Sequence, residues 1–204
     1  PICRQEEHVG GWFAPSSGAP APRCSSSSTG QSNPVTDHHH LGQDAFCPRC
    51  AGRLVQEHRE GKVRPVCSRC GHVLFYDPKV VAAGLVAQEG KLLLVRRATE
   101  PGLGLWSLPG GYVDRGEVVE EALVRELREE TMLEVQVTRL LGLFSEPGHP
   151  VILAAYQATI VGGKPQPGLE VSEVGFFPYD RLPPLAFPRD SLVIRTWQEL
   201  SAQG

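Results

Sequence analysis

The sequence predicts an α/β fold, a mixed sheet sandwiched between helices, with a small cysteine-rich module ahead of it. Three observations carry this reading. Short apolar runs rich in Val, Leu and Ala recur from Lys79 onward, as the strands of a partly buried sheet require. Two helical patterns, at 117–131 and 189–201, interrupt and close that series, and strands flanking two helices favour a layered sandwich. Two Cys-x-x-Cys pairs precede it.

Length and charge fit one substantial core plus a small module, with 204 residues and 41% hydrophobic content. The formal charge of -3 weighs against broad electrostatic capture of nucleic acid, while local basic patches stay open. No apolar run reaches the roughly 20 residues that span a bilayer, so a soluble protein without a membrane partner is expected.

Residues 1–45 carry Gly-Ala-Pro and Ser-Ser-Ser-Ser stretches without periodicity, and are expected to be a disordered tail or an artificially added segment. The first residue is Pro1 and not Met, so an upstream segment is expected. Between His8 and Thr36 serine is frequent and acids are absent, a weak echo of an organelle transit peptide that lacks the arginines of one. The expected location is cytoplasmic, with an organelle stroma or matrix as the alternative. Cys3 and Cys24 read as unpaired thiols, and His38-His39-His40 as a chance or added triplet and not a metal site.

Residues 46–77 read as a zinc ribbon. Cys47-Pro-Arg-Cys50 and Cys67-Ser-Arg-Cys70 are separated by sixteen residues. Each pair offers two thiolates from one tight turn, and two such turns close a tetrahedral shell around Zn2+. Four protein ligands leave no place for water, so the zinc is expected to be structural; a disulfide or redox role is the alternative. Zinc in turn implies a reducing compartment. A short hairpin is expected across 53–66, and the second knuckle ends at Gly71.

Residues 78–204 form the main domain. Runs at 80–87 and 92–96 flank Glu89-Gly90, a tight hairpin turn. A short strand at 105–108 feeds Pro109-Gly110-Gly111, a glycine-permitted turn whose carbonyls can approach a metal. Gly116-Glu117 opens the main helix, 117–131, whose apolar stripe is Val118, Ala122, Leu123 and Leu127. Strands are expected at 135–144, 151–161 and 174–178. The closing helix, 189–201, offers Leu192, Ile194, Trp197 and Leu200 as its buried side.

The chemistry concentrates in GYVDRGEVVEEALVRELREETML, residues 111–133. It spaces Glu126, Glu129 and Glu130 at i, i+3 and i+4, on one face of a helix. Like charges stacked so repel by a few tenths of a kcal/mol per pair, and the arrangement gains nothing unless a cation lies between them. A hard ion such as Mg2+ or Mn2+ fits; for the acidic run alone, a solvated charge-laced helix is the alternative. Arg125 follows Glu117 by eight residues, roughly two helical turns, and is placed to pair with it.

These residues resemble the Nudix box, G-x5-E-x7-R-E-U-x-E-E-x-G-U with U aliphatic. Gly111, Glu117, Arg125, Glu126, Leu127, Glu129, Glu130 and Leu133 fall on its defined positions, and Met132 stands in place of its last glycine. A side chain there costs about 1 kcal/mol if the same left-handed backbone is kept. The resemblance covers roughly residues 46–200. It implies an α/β/α sandwich and metal-dependent hydrolysis of a nucleoside diphosphate linked to another group, with release of AMP. It implies Glu126 and Glu130 as direct Mg2+ or Mn2+ ligands, Glu129 as a ligand or water-orienting base, and Gly110 as a carbonyl donor.

An outer carboxylate often completes such sites, and Glu173, slightly favoured, or Glu170 would supply it; otherwise both are exposed loop glutamates. Phe187, in Pro184-Leu-Ala-Phe-Pro-Arg-Asp, resembles a segment of zinc-ribbon Nudix enzymes and would stack on adenine or flavin, or serve as a core aromatic. Arg96 and Arg97 would meet phosphate oxygens or end a strand in solvent.

A ribbon ahead of the box resembles two groups. NADH pyrophosphatases with RNA-decapping relatives carry SQPWPFPxS, where this chain has FSEPGHP at 144–150. FYDPKVV, with Tyr76, Asp77 and Lys79, looks like the branch holding FAD and ADP-ribose pyrophosphatases. FAD or ADP-ribose therefore leads as the small-molecule substrate. The alternatives are NADH or NAD-capped RNA, and a non-catalytic nucleotide sensor or nucleic-acid-binding protein. Homodimers are common among similar proteins.

Overall fold

The computed structural model describes residues 44–203; the readings made for Cys3, Cys24 and His38 to His40 lie outside them. A two-stranded antiparallel ribbon comes first, β1 (Leu54–Arg59) against β2 (Lys62–Cys67), with Leu54 opposite Cys67 and Arg59 opposite Lys62. Glu60 and Gly61 turn between them at φ 50° and 76°, the positive pair that two-residue hairpins favour.

Seven strands build the main sheet: β3 (Lys79–Gln88), β4 (Lys91–Arg97), β5 (Trp106–Ser107), β6 (Gly110–Tyr112), β7 (Leu133–Phe144), β8 (Val151–Gly163) and β9 (Val171–Pro178). Their order is β5-β4-β3-β8-β7, with β6 added to β3 and β9 to β4. β3 and β8 run parallel and the other pairs antiparallel, so the sheet is mixed.

Helices α1 (Val119–Thr131) and α2 (Pro188–Ala202) cover its two faces. The two-residue period of β3 decides which side chain goes where. Ala82 and Val86 pack with Leu123 and Leu127 of α1, while Ala83 and Leu85 pack with Val193 and Ile194 of α2. Gly84 lies between, where a Cβ would come within 2.9 Å of Leu127 Cδ1; its missing side chain lets α1 close on the sheet.

Several expected details shift. α1 starts at Val119, because Gly116 at φ +90° and the Glu117 N–H bound to Asp114 O make a turn ahead of it. Val118 is its extended N-cap and exposed, so the buried stripe is Ala122, Leu123 and Leu127. Gly110 and Gly111 are strand residues, paired with Ala83 and Ala82. Glu173 lies inside β9, which begins at Val171. On α2, Leu192 is exposed and Val193 buried. The inner face runs Asp190, Val193, Ile194 and Trp197, a helical i, i+3, i+4, i+7 stripe whose first member is an acid. Among the described residues, no helix is long and apolar enough to cross a membrane.

Candidate functional site

Two glycines bring β6 and α1 together. Gly110 has φ +148°, and a Cβ on it would fall 2.1 Å from Ala82 O, so only glycine fits the pairing with β3. A Cβ on Gly111 would lie 2.4 Å from the carboxyl carbon of Glu126, so the space glycine leaves is filled by that carboxylate. The Gly110 N–H donates to Glu130 Oε2 at 2.8 Å. Glu130 is 7% exposed. Burial pushes its carboxyl up to about 8, against the pull of the Gly110 N–H, with the charges of Glu126 and Glu170 adding to the rise.

Arg125 organises the other carboxylates. Its Nε and Nη2 grip Glu117 Oε1 and Oε2 at 2.8 and 2.9 Å, a bidentate pair, and Nη2 also donates to Tyr112 O at 3.1 Å. Nη1 donates to Glu126 Oε1 at 2.7 Å and Glu129 Oε2 at 3.3 Å. The Arg125 guanidinium, helped by the Asp114 N–H, holds the Glu117 carboxyl down to about 2. Burial raises Glu126 in spite of Arg125. The three helix carboxylates are not gathered at one point. Arg125 draws Glu126 and Glu129 while Glu130 turns to Gly110, and among the described residues only the cysteines place three or more such ligand atoms within 4.8 Å of one another.

The donor set nonetheless suits a hard divalent cation, which takes carboxylate and carbonyl oxygens. Two observations support the fit. A buried acid such as Glu130 is unfavourable to ionise without a compensating charge, and Gly111 keeps clear the space that Glu126 occupies.

α1 ends where the sequence has Met132 for glycine. Met132 is left-handed, φ 57° and ψ 17°, with its N–H on Arg128 O, so the methionine keeps the backbone a glycine would take. The chain between β8 and β9 then docks on this helix end: Gln166 N–H donates to Thr131 O and Gly168 N–H to Glu130 O. Glu170 follows, its carbonyl accepting from Ala98 N–H and its charge felt at both Glu126 and Glu130. Glu173 instead pairs with Arg96 Nη1 at 2.8 Å.

The two arginines at the end of β4 go separate ways at a bulge between them. Arg96 also donates through Nε to Gly104 O. Arg97 donates through Nε to Pro101 O, and its guanidinium stacks 5.1 Å from the Phe187 ring centre. Phe187 is only partly buried, the N-cap of α2. Its position is set by Trp106, whose N–H donates to Pro184 O and whose carbonyl accepts from Ala186 N–H. The structure therefore brings Arg97 and Phe187 together and leaves Arg96 with Glu173.

Asp190 was absent from the sequence-derived candidates. It is 4% exposed, and its Oδ2 accepts the Leu108 N–H at 3.2 Å. Burial pushes it up to about 7, opposed by that N–H and by Arg189 and Arg97. The signal for it was an acid on an otherwise apolar stripe.

In the ribbon, Cys47 Sγ lies 3.8 Å from Cys70 Sγ, and Cys50 Sγ 3.5 Å from Cys67 Sγ. A zinc tetrahedron with bonds of about 2.3 Å has edges of about 3.8 Å, so the four sulfurs match the shell such an ion requires. The knuckles are copies. Ala51 and Gly71, both left-handed, donate to Cys47 O and Cys67 O, and the Arg49 and Arg69 N–H groups point at Cys47 and Cys67 Sγ. A Cβ on Gly52 would lie 2.9 Å from Cys67 Sγ.

Comparison with known proteins gives a consistent set. A profile of the NUDIX domain matches residues 76–197. An ADP-ribose pyrophosphatase of Methanocaldococcus jannaschii is 39% identical over 125 residues, 59% of this chain and 73% of that protein. The NAD-capped RNA hydrolase NudC of Chromobacterium violaceum is 34% identical over 147 residues, 70% of this chain, which spans only about half (53%) of NudC's length. A crystal structure of a NUDIX hydrolase from Nitrosomonas europaea superposes with a TM-score of 0.72 at 28% identity, over 78% of this chain and 93% of that one.

Proposed function

The chain belongs to the NUDIX family, and on that premise we propose that it hydrolyses the pyrophosphate bond of a nucleoside diphosphate derivative, with ADP-ribose or FAD the leading substrate and AMP a product. The observation that carries the reading is the carboxylate ridge of α1, with Glu126 and Glu130 pressed against the glycines of β6 and Glu129 open to solvent. Glu126, Glu129 and Glu130, with the Gly110 carbonyl, would hold Mg2+ or Mn2+. When bound, the ion neutralises phosphate oxygens and lowers the proton affinity of water.

The chain's own groups do the rest. Arg125 fixes Glu117 and Glu126, bracing the loop ahead of α1 against the helix. Glu129, mostly exposed and held by Arg125 only through Oε2 at 3.3 Å, is placed to orient water. Glu170 supports the role of outer carboxylate better than Glu173, since Arg96 already neutralises Glu173. Phe187 and Arg97 offer a ring face and a guanidinium for the nucleotide end. The ribbon cysteines, Cys47, Cys50, Cys67 and Cys70, would hold a structural Zn2+, four thiolates serving to fix the fold and not to activate water.

The ADP-ribose pyrophosphatase likeness supports ADP-ribose. The likeness to NudC, over 70% of this chain, supports a second reading, NADH or NAD-capped RNA as substrate. Incubation of a panel with Mn2+ separates them: AMP from ADP-ribose or FAD supports the first, and nicotinamide mononucleotide from capped transcripts the second. Equal rates for the parent protein and Glu129→Gln would refute the assigned chemistry.

A further inference from the structure

The turn that carries Gly110 is pinned at successive atoms. Ser107 ends β5 and Gly110 starts β6, leaving Leu108 and Pro109 between them. Pro109 has no N–H, and its carbonyl accepts from Gly84 N–H. The two amides that remain are each taken by a buried carboxylate from a different helix. Leu108 N–H goes to Asp190 of α2, and Gly110 N–H to Glu130 of α1.

These acids differ in what else they do. Glu130 belongs to the proposed cation site, while the Asp190 carboxylate has the Leu108 amide as its one hydrogen-bond partner among the described residues. A neutral acceptor would satisfy one amide at less desolvation cost than an acid, so the position asks for more than packing. Asp190 also lies three residues beyond Phe187, in the first turn of α2, with its own N–H on Phe187 O. One short segment thus holds the partly buried aromatic ring at one end and, through the buried Asp190, the Leu108–Gly110 turn at the other.

We infer that Asp190 is a positioning residue, which fixes the height of the Gly110 carbonyl toward the cation site and ties the Phe187 ring to that site. The inference rests on the reading under Proposed function. Side chains that orient metal donors from behind typically change affinity or turnover by about ten- to a hundredfold when removed.

The test compares the parent protein with Asp190→Leu, which keeps the branched shape and loses the acceptor, and Asp190→Asn, which keeps an acceptor oxygen. Mn2+ binding is followed by electron paramagnetic resonance, turnover by AMP release, and the turn by hydrogen exchange at Leu108 and Gly110. Asp190→Leu is expected to weaken Mn2+ binding and kcat by about tenfold and to speed exchange at both amides, with Asp190→Asn recovering most of each. Should Asp190→Leu fold incompletely, Asp190→Ala, which also lacks the acceptor, carries the same comparison, with Ser191→Ala, a neighbour outside the contact, as its control. Unchanged Mn2+ affinity and turnover in a folded Asp190→Leu, beside an active parent, overturns the positioning role and leaves the proposed function standing. A parent protein that binds no Mn2+ overturns both.

Discussion

Replacing Glu130 by glutamine probes the energetic cost built into the ridge. The amide can still accept the Gly110 N–H, so the change removes charge and little else. In the fold, burial holds the Glu130 carboxyl at about 8, against 4.5 for an exposed glutamate. The folded state therefore binds the proton more tightly than the unfolded state. Stability that Glu130 contributes below about pH 4.5 is lost as the pH rises toward 8, by on the order of 4 kcal/mol at 1.36 kcal/mol per pH unit. Urea unfolding of the parent and Glu130→Gln, in buffers free of Mg2+ and Mn2+, reads this directly. The variant should gain on the parent as pH is raised from about 5 to about 8, by a few kcal/mol. Adding Mn2+ should then stabilise the parent, by about 2.7 kcal/mol at a hundred times its dissociation constant, and leave the variant unmoved. Parallel pH curves for the two proteins would refute the claim that the acid is held neutral by burial.

Other perturbations address separate parts of the account. Arg125→Ala releases Glu117, Glu126 and Glu129 together and should lower kcat by about tenfold or more with a small change in thermal midpoint; unchanged kcat would leave Arg125 a surface ion pair. Met132→Gly should raise stability by about 1 kcal/mol relative to Met132→Ala, since both lose the side chain but only glycine relieves the left-handed backbone; equal unfolding midpoints would place the strain elsewhere. Cys50→Ser should abolish stoichiometric zinc in elemental analysis and expose the β1 and β2 amides to exchange, because a lone two-stranded hairpin is marginal in water. Retained protection would show that the ribbon stands without the ion.

Much of the fold was legible because strong local signals coincided with tertiary ones. Glu89-Gly90 and the Cys-x-x-Cys pairs demand particular backbones wherever they occur, and the structure has those backbones. The spacing of Glu117 and Arg125 likewise reads through to a bidentate pair. What escaped depends on partners distant in sequence. β6 exists because Gly110 and Gly111 can lie against Ala83 and Ala82, which a glycine pair alone does not announce. Glu170 comes beside the ridge because the chain at Gln166 and Gly168 caps the carbonyls ending α1, a docking with no periodic signature. Asp190 was hidden for the opposite reason: its pattern was helical, but its charge masked it as a core position.

Paramagnetic broadening by Mn2+, mapped on backbone amides, tests most directly whether the acidic ridge is a cation site. The account predicts loss of signal confined to residues 108–112 and 126–130 at low stoichiometry, with residue 170 next and the Glu126→Gln protein spared. Broadening spread over exposed acids elsewhere, with the Gly110 and Glu130 amides sharp, would contradict it.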